Sequence, residues 1–346
     1  MSFALLLAAL ALAGVPLFVV IAGSALWGYH NADIDLQAIA IEIFGIAEMP
    51  ILAAIPMFTF AGYLLSEGGA PGRLVRLSQA LLGWLPGGLA IIALAACAIF
   101  TAFTGASGVT IIALGALLYP ALKQAGYPEN FNLGLVTTSG SLGLLFAPSL
   151  PLILYGVVAK VSIDKLFVAG IVPGTLMIAL LAAWSLWVNR DNRVRMEDFT
   201  WQEARDAVWA SRWEIPLPVI VLGGIYSGYF AVSEAAAVTA IYVLFVEMIV
   251  HREIPWRRLP LIMRESMVLV GGILLILGVS LASTNVMIDA GVPGMLFEAT
   301  RGLVSGPVSF LWLLLGFLLV LGALLDIFSA IVLVVPLLIP VAVGYG

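Results

Sequence analysis

Apolar residues along this chain run together in long blocks, separated by short polar or glycine- and proline-rich stretches. About 20 consecutive apolar residues carry an α-helix across a bilayer. The blocks Phe3 to Leu26, Ile43 to Leu65, Phe167 to Val188, Ile215 to Phe230, Ala235 to Val250 and Met267 to Asn285 each read as one full span. Between Trp84 and Lys123 the pattern changes: two apolar halves, Gly87 to Ala102 and Val109 to Leu122, flank the small-residue break Thr104-Gly105-Ala106-Ser107-Gly108. Irregular backbone at membrane depth is tolerated only inside protein or along a cavity, so the spacing predicts a re-entrant helical hairpin over about 85–122. The segment Phe131 to Val157 is interrupted at Thr137-Thr138-Ser139-Gly140-Ser141 and again at Ala147-Pro148-Ser149-Leu150-Pro151, which predicts a broken helix.

Part of this pattern occurs twice. Ser66-Glu67-Gly68-Gly69-Ala70-Pro71-Gly72 returns as Ile288-Asp289-Ala290-Gly291-Val292-Pro293-Gly294 at an offset of 222, and an amphipathic stretch follows each copy. The apolar run Val308 to Leu324 then meets the break Leu325-Asp326-Ile327-Phe328-Ser329, which places Ser329 on Ser107 at the same offset, before a second apolar half, Ala330 to Val341. A second hairpin is therefore expected over about 307–342. The spans between the hairpins are Phe131 to Val157, Phe167 to Val188, Ile215 to Phe230, Ala235 to Val250 and Met267 to Asn285; their odd number makes the halves inverted-topology repeats, a common transporter construction. The first repeat covers about 1–188 and the second 215–346, within a single transmembrane domain over 1–346. Residues 189–214 form an amphipathic cytoplasmic linker.

Charge supports the hairpin. With it, Arg73, Arg76, Lys123, the segment Arg190 to Arg212 and the segment His251 to Arg264 all fall on the cytoplasmic side, as the positive-inside rule requires, and only Lys160 and Lys165 are misplaced. Hydrophobic residues make up 62% of the 346 positions and charged residues 10%, so lipid is the solvent and a separate soluble domain is excluded. No basic cluster is dense enough for nucleic acid, and the single cysteine, Cys97, rules out a disulfide framework or a thiolate metal site.

The candidate chemistry lies at the breaks. Glycine and proline release backbone carbonyls, hydroxyls add neutral oxygen ligands, and half-helix N-termini suit a carboxylate. Sodium and substrate candidates are therefore Thr104, Gly105, Ala106, Ser107 and Gly108 at the first tip. The broken helix adds Thr138, Ser139, Gly140, Ser141, Gly143, Pro148 and Ser149, and the second tip adds Asp326 and Ser329. Asp326 either helps hold a cation or caps its own hairpin arm; Glu234, at a helix start, reads as a cap. No organic cofactor is implied. Gly105-Ala106-Ser107-Gly108 also matches the pattern around the serine of rhomboid intramembrane proteases, which would make Ser107 a nucleophile. That chemistry needs a nearby base, and the only histidines, His30 and His251, fall in loops on opposite faces. A non-transporting scaffold or channel is the other alternative.

The order of Ile55-Pro56-Met57-Phe58, Leu85-Pro86-Gly87-Gly88-Leu89-Ala90, Pro148-Ser149, Tyr155-Gly156, Ser233-Glu234-Ala235-Ala236-Ala237 and Leu325-Asp326 with Ser329-Ala330 resembles the large membrane subunits of tripartite ATP-independent periplasmic (TRAP) transporters. The resemblance covers essentially the whole chain. It implies an elevator-type, Na⁺-coupled importer in the bacterial inner membrane, carrying small organic anions such as C4-dicarboxylates or sugar acids. It also implies a small membrane subunit and a periplasmic substrate-binding protein as partners. Carried over by position, the Na⁺ sites would involve Gly105 to Gly108 with Ser139 to Gly143, and Asp326 to Ser329 with a following broken helix. Two departures stand out: the first tip usually reads like Ser-Gly-Ser, and Ala147 replaces the first of two prolines. On the repeat logic the second hairpin also needs its own broken helix, so a continuation of roughly 60–80 residues past Gly346 is expected.

Overall fold

The computed structural model describes residues 2–84, 87–190, 199–302, 304 and 306–345. Leu85 and Pro86 at the head of the first hairpin, 191–198 of the linker, and Gly346 lie outside the described residues. Every regular element among the described residues is helical. Among the described residues, six helices are long and apolar enough to cross a membrane, or seven if one bent pair counts as a single span. The chain is an all-α polytopic membrane protein and divides into two compact units.

One unit comprises Met1–Leu52, Leu154–Val161 and Leu269–Gly346. It begins with α1 (Ser2–Leu12) and α2 (Leu17–Asn31), where the sequence predicts one continuous span. Gly14 at φ +82° and Pro16, which cannot donate a helical hydrogen bond, turn the chain back on itself. Phe3 consequently stacks on Trp27 at 4.4 Å. The next predicted span, Ile43 to Leu65, is likewise interrupted: α3 (Gln37–Ala47) stops short of Pro50 and α4 (Ala54–Glu67) follows a 3₁₀ turn, because the residue before a proline avoids the α region. The helix Leu259–Asp289, named α14 below, runs from the other unit into this one. In this unit it packs on α2, with Ser24 and Ser283 hydroxyls 3.0 Å apart and Ala25, Tyr29 and Ala282 buried together.

The other unit, Ala53–Ile153 with Ser162–Val268, holds the larger apolar core. It contains α4, the short α5 (Ala70–Leu82), the hairpin arms α6 (Gly88–Thr104) and α7 (Ser107–Gln124), and α8 (Glu129–Leu142) with the start of α9 (Leu150–Ala159). Then come α10 (Ile163–Val188), α11 (Trp201–Ala210), α12 (Pro216–Tyr226) and α13 (Val232–Phe245), whose last turn widens into a π-turn over Val246–Val250. At 1.5 Å per residue, α12 is about 16 Å long and falls well short of the full span its sequence suggests. Its exit turn is set by Gly228 at φ +76°. Glu234 caps α13 as expected, its carboxylate accepting from the Ala231 N–H at 2.8 Å. An aromatic stack of Tyr127, Phe131 and Trp184 ties the start of α8 to the end of α10.

After α14 the chain continues through α15 (Val292–Arg301), α16 (Pro307–Leu324) and α17 (Ile327–Tyr345). This order of short helix and two hairpin arms is the order seen in α5, α6 and α7. Tyr345 closes the base of the second hairpin, stacking on Phe310 at 4.6 Å and meeting the Thr300 hydroxyl at 2.9 Å.

Candidate functional site: the hairpin tips and the broken helix

The first hairpin breaks at Gly105-Ala106 alone, since Thr104 ends α6 and Ser107 opens α7. Gly105 takes φ +63°, a conformation that costs a side chain about 1–2 kcal/mol. A Cβ there would also stand 2.3 Å from the Leu150 side chain at the start of α9. The tip is thus wedged against the broken helix.

Below it lies a buried hydroxyl cluster. Thr101 Oγ1 is 2.9 Å from both Thr110 Oγ1 and the Gly140 carbonyl, and Thr104 Oγ1 is 3.1 Å from Thr110 Oγ1. The Ala106 carbonyl accepts from Thr110 at 3.4 Å. All three threonine side chains are fully buried, so neutral oxygens from both arms and from α8 converge in the protein interior. Sequence reading singled out Thr104 and missed Thr101 and Thr110, which lie inside apolar helical runs; their spacing of nine residues across the break was the available signal.

The broken helix differs from expectation in where it breaks. The stretch Thr137 to Ser141 is regular α-helix, and its hydroxyls return to helix carbonyls: Thr137 to Leu133, Ser139 to Val136, Ser141 to Thr138. Serine and threonine satisfy themselves this way within helices and need not break them. The break begins at Gly143, where a 3₁₀ turn over Gly143–Leu145 leads to the cis Ala147–Pro148 peptide and α9 starts at a 48° bend. Gly143 lies against α6: a Cβ there would be 2.3 Å from the Ala98 carbonyl and 2.6 Å from the Ala102 nitrogen. Buried Ser149 fastens the turn, donating to the Leu144 carbonyl.

The candidates therefore separate. Ser139, Gly140 and Gly143 face the hairpin and are buried, as are Pro148 and Ser149, whereas Thr138 and Ser141 lie on the exposed side of α8. Ser107 is half-buried and Gly108 exposed. Cys97, in α6 and 1% exposed, faces Ser139 across the hairpin–helix contact. At the second tip, Asp326 Oδ2 accepts from the backbone N–H groups of Phe328 at 3.0 Å and Ser329 at 3.3 Å, an N-cap on α17. Ser329 is buried and its hydroxyl has no hydrogen-bond partner, an uncommon state for a buried polar atom. No group of three or more histidine, cysteine, aspartate or glutamate side chains suited to a metal occurs among the described residues. His251 lies 3.6 Å from Glu214, in a charged cluster around Arg73, and gives Ser107 no general base.

Long apolar helices, a helical hairpin with buried neutral oxygens at its tip, and a broken helix packed across it define a polytopic membrane protein of the secondary-transporter class. The sequence matches the family model described as tripartite ATP-independent periplasmic transporter, DctM component, over residues 1–346, and the chain belongs to that family. It is 32% identical over 363 residues to the C4-dicarboxylate TRAP transporter large permease protein DctM of Rhodobacter capsulatus, covering 99% of this chain and 81% of that one. It is 32% identical over 313 residues to the 2,3-diketo-L-gulonate TRAP transporter large permease protein YiaN of Escherichia coli, covering 90% and 74%. It is 34% identical over 308 residues to the isethionate TRAP transporter permease protein DctMQ of Oleidesulfovibrio alaskensis, covering 88% of this chain and about half (48%) of that protein. The chain is a multi-pass inner-membrane protein.

Proposed function

We propose that this chain is the transport-carrying large subunit of a Na⁺-coupled importer of small organic anions. It would work with a small membrane subunit and receive substrate from a periplasmic binding protein. The observation that carries this reading is the buried cluster of Thr101, Thr104 and Thr110 hydroxyls with the Gly140 and Ala106 carbonyls. Neutral oxygens at helix breaks suit a monovalent cation shed of its water. At the second tip the unpartnered Ser329 hydroxyl supplies the same kind of ligand, and Asp326 holds the arm in place. The hairpins and broken helix would move as one body against the remaining helices, the elevator form of alternating access, with both hairpins re-entrant. Relatives named for a C4-dicarboxylate, a sugar acid and isethionate support a small organic anion as cargo. Uptake of a labelled C4-dicarboxylate or sugar acid into proteoliposomes, with the partner subunits supplied, tests the proposal. Uptake should rise with external Na⁺, and uptake indifferent to Na⁺ would refute the coupling.

A further inference from the structure

Away from the tips, α5 is bound to the end of α13 by an unbalanced set of charges. The Arg73 guanidinium donates to Glu214 at 2.6 Å, to Glu247 at 3.2 Å and to Glu253 at 2.6 Å. One cation therefore faces three carboxylates. Two of these cannot be relieved by water, because the Glu247 side chain is 0% exposed and that of Glu214 4%. The Oε2 atoms of Glu247 and Glu214 find no hydrogen-bond partner. Burying a carboxylate without full pairing costs several kcal/mol, and a group so placed takes up a proton instead.

Among the described residues, the other basic groups near the cluster are engaged elsewhere or uncharged. His251 lies 3.6 Å from Glu214, but burial and the nearby Arg73 lower its pKa, so it stays neutral and its Nε2 is unpartnered. Arg212 stacks over Trp209 at 4.4 Å, and Arg258 pairs with Glu67 at 3.2 Å. The Glu253 carboxylate is held ionised: burial works against it, but the Gly69 N–H at 2.6 Å and Arg73 outweigh that. Glu247 and Glu253 sit on the same guanidinium, at 3.2 and 2.6 Å from Arg73, and two ionised carboxylates sharing one cation repel each other, which a proton on the buried one relieves. Their approach is built into the backbone, since a Cβ at Gly68 would clash with the Glu247 carboxyl and one at Gly69 with Glu253. Glu247 sits in the π-turn of α13, a local distortion common at functional positions.

We propose that the Arg73 cluster is a proton-binding site: Glu247 and Glu253 hold one proton between them, and with it the cluster clamps α5, the helix leading into the first hairpin, to the end of α13. The proton belongs to the pair. Bound in the folded protein and absent from the unfolded chain, it contributes stability that is lost as pH rises.

Infrared spectroscopy of the purified full chain near neutral pH reads the proton directly, through the deuterium-sensitive carbonyl stretch of a protonated carboxylic acid. The band should be present in the parent protein, lost in Glu247→Gln and shifted in Glu253→Gln. The thermal midpoint of the parent should fall as pH rises from neutral, by a slope that Glu247→Gln removes. Absence of the band, or its persistence unchanged in Glu247→Gln, would overturn the proposal. Failure of Glu247→Gln to fold would do the same, because the amide reproduces the shape and the donor of the protonated acid. None of these readouts depends on transport.

Discussion

Gly143→Ala is the most incisive perturbation of the candidate site. The added methyl would stand 2.3 Å from the Ala98 carbonyl oxygen, 2.5 Å from Thr101 Cβ and 2.6 Å from the Ala102 nitrogen. Two of these are main-chain atoms of a helix and cannot rotate aside, so α8 and α6 must separate. Overpacking a filled interior costs about 1–3 kcal/mol, and the rigidity of this contact places it at the upper end. Separation also draws the Gly140 carbonyl away from Thr101 Oγ1, now at 2.9 Å, and the lost hydrogen bond adds about 0.5–1.5 kcal/mol, Thr110 still pairing the hydroxyl. The total is about 2.5–4.5 kcal/mol. Gly134→Ala, in the same helix with nothing within 4 Å of its Cβ position, is the control. There alanine favours the helix by up to about 1 kcal/mol. Thermal unfolding of detergent-purified protein should rank Gly134→Ala at or above the parent and Gly143→Ala well below it. Equal midpoints for the two variants would refute the close approach, and with it the hydroxyl cluster that depends on it.

Thr110→Val should cost about 1–3 kcal/mol by leaving the Thr104 hydroxyl only the Ala106 carbonyl at 3.5 Å, and should weaken Na⁺ activation of uptake more than Thr138→Val, which alters the exposed side of α8; similar Na⁺ curves for the two would remove the cluster from the ion path. Ser107→Ala should raise the Na⁺ concentration needed for half-maximal uptake, and an unchanged value would return Ser107 to packing. Asp326→Ala should lower the thermal midpoint by the loss of an N-cap worth about 1 kcal/mol, with Asp326→Asn recovering most of it; loss of uptake in Asn at normal stability would assign Asp326 a role in binding beyond capping. Single cysteines at Trp84 and Gln124 should both be labelled from the cytoplasmic side, and labelling from opposite sides would exclude a re-entrant first hairpin.

Much of the helical plan was readable because it is written in blocks of apolar residues. The tip at Gly105 was visible as a small-residue interruption and the turn at Ala147-Pro148 as a proline. What escaped has physical causes. The fold-back at Gly14 and the stop before Pro50 lie within runs so apolar that composition masks the backbone break. The helical state of Thr137 to Ser141 was hidden because hydroxyls that bond back within a helix look, in sequence, like hydroxyls released for ligands. Thr101 and Thr110 are unremarked in an apolar helix until α8 is laid across them. The Arg73 cluster gathers residues 73, 214, and 247 with 253 from three segments, and no local pattern announces such a meeting.

Cys97 gives this chain a chemical reporter that needs no engineering. It is the only thiol in the sequence, and it lies sealed in the contact between α6 and Ser139 of α8. A membrane-permeant maleimide can reach it only when those two helices part. The native protein's alkylation rate therefore measures how often the hairpin comes away from the broken helix, and the change in that rate with Na⁺ or substrate would show whether the two travel together through a transport cycle.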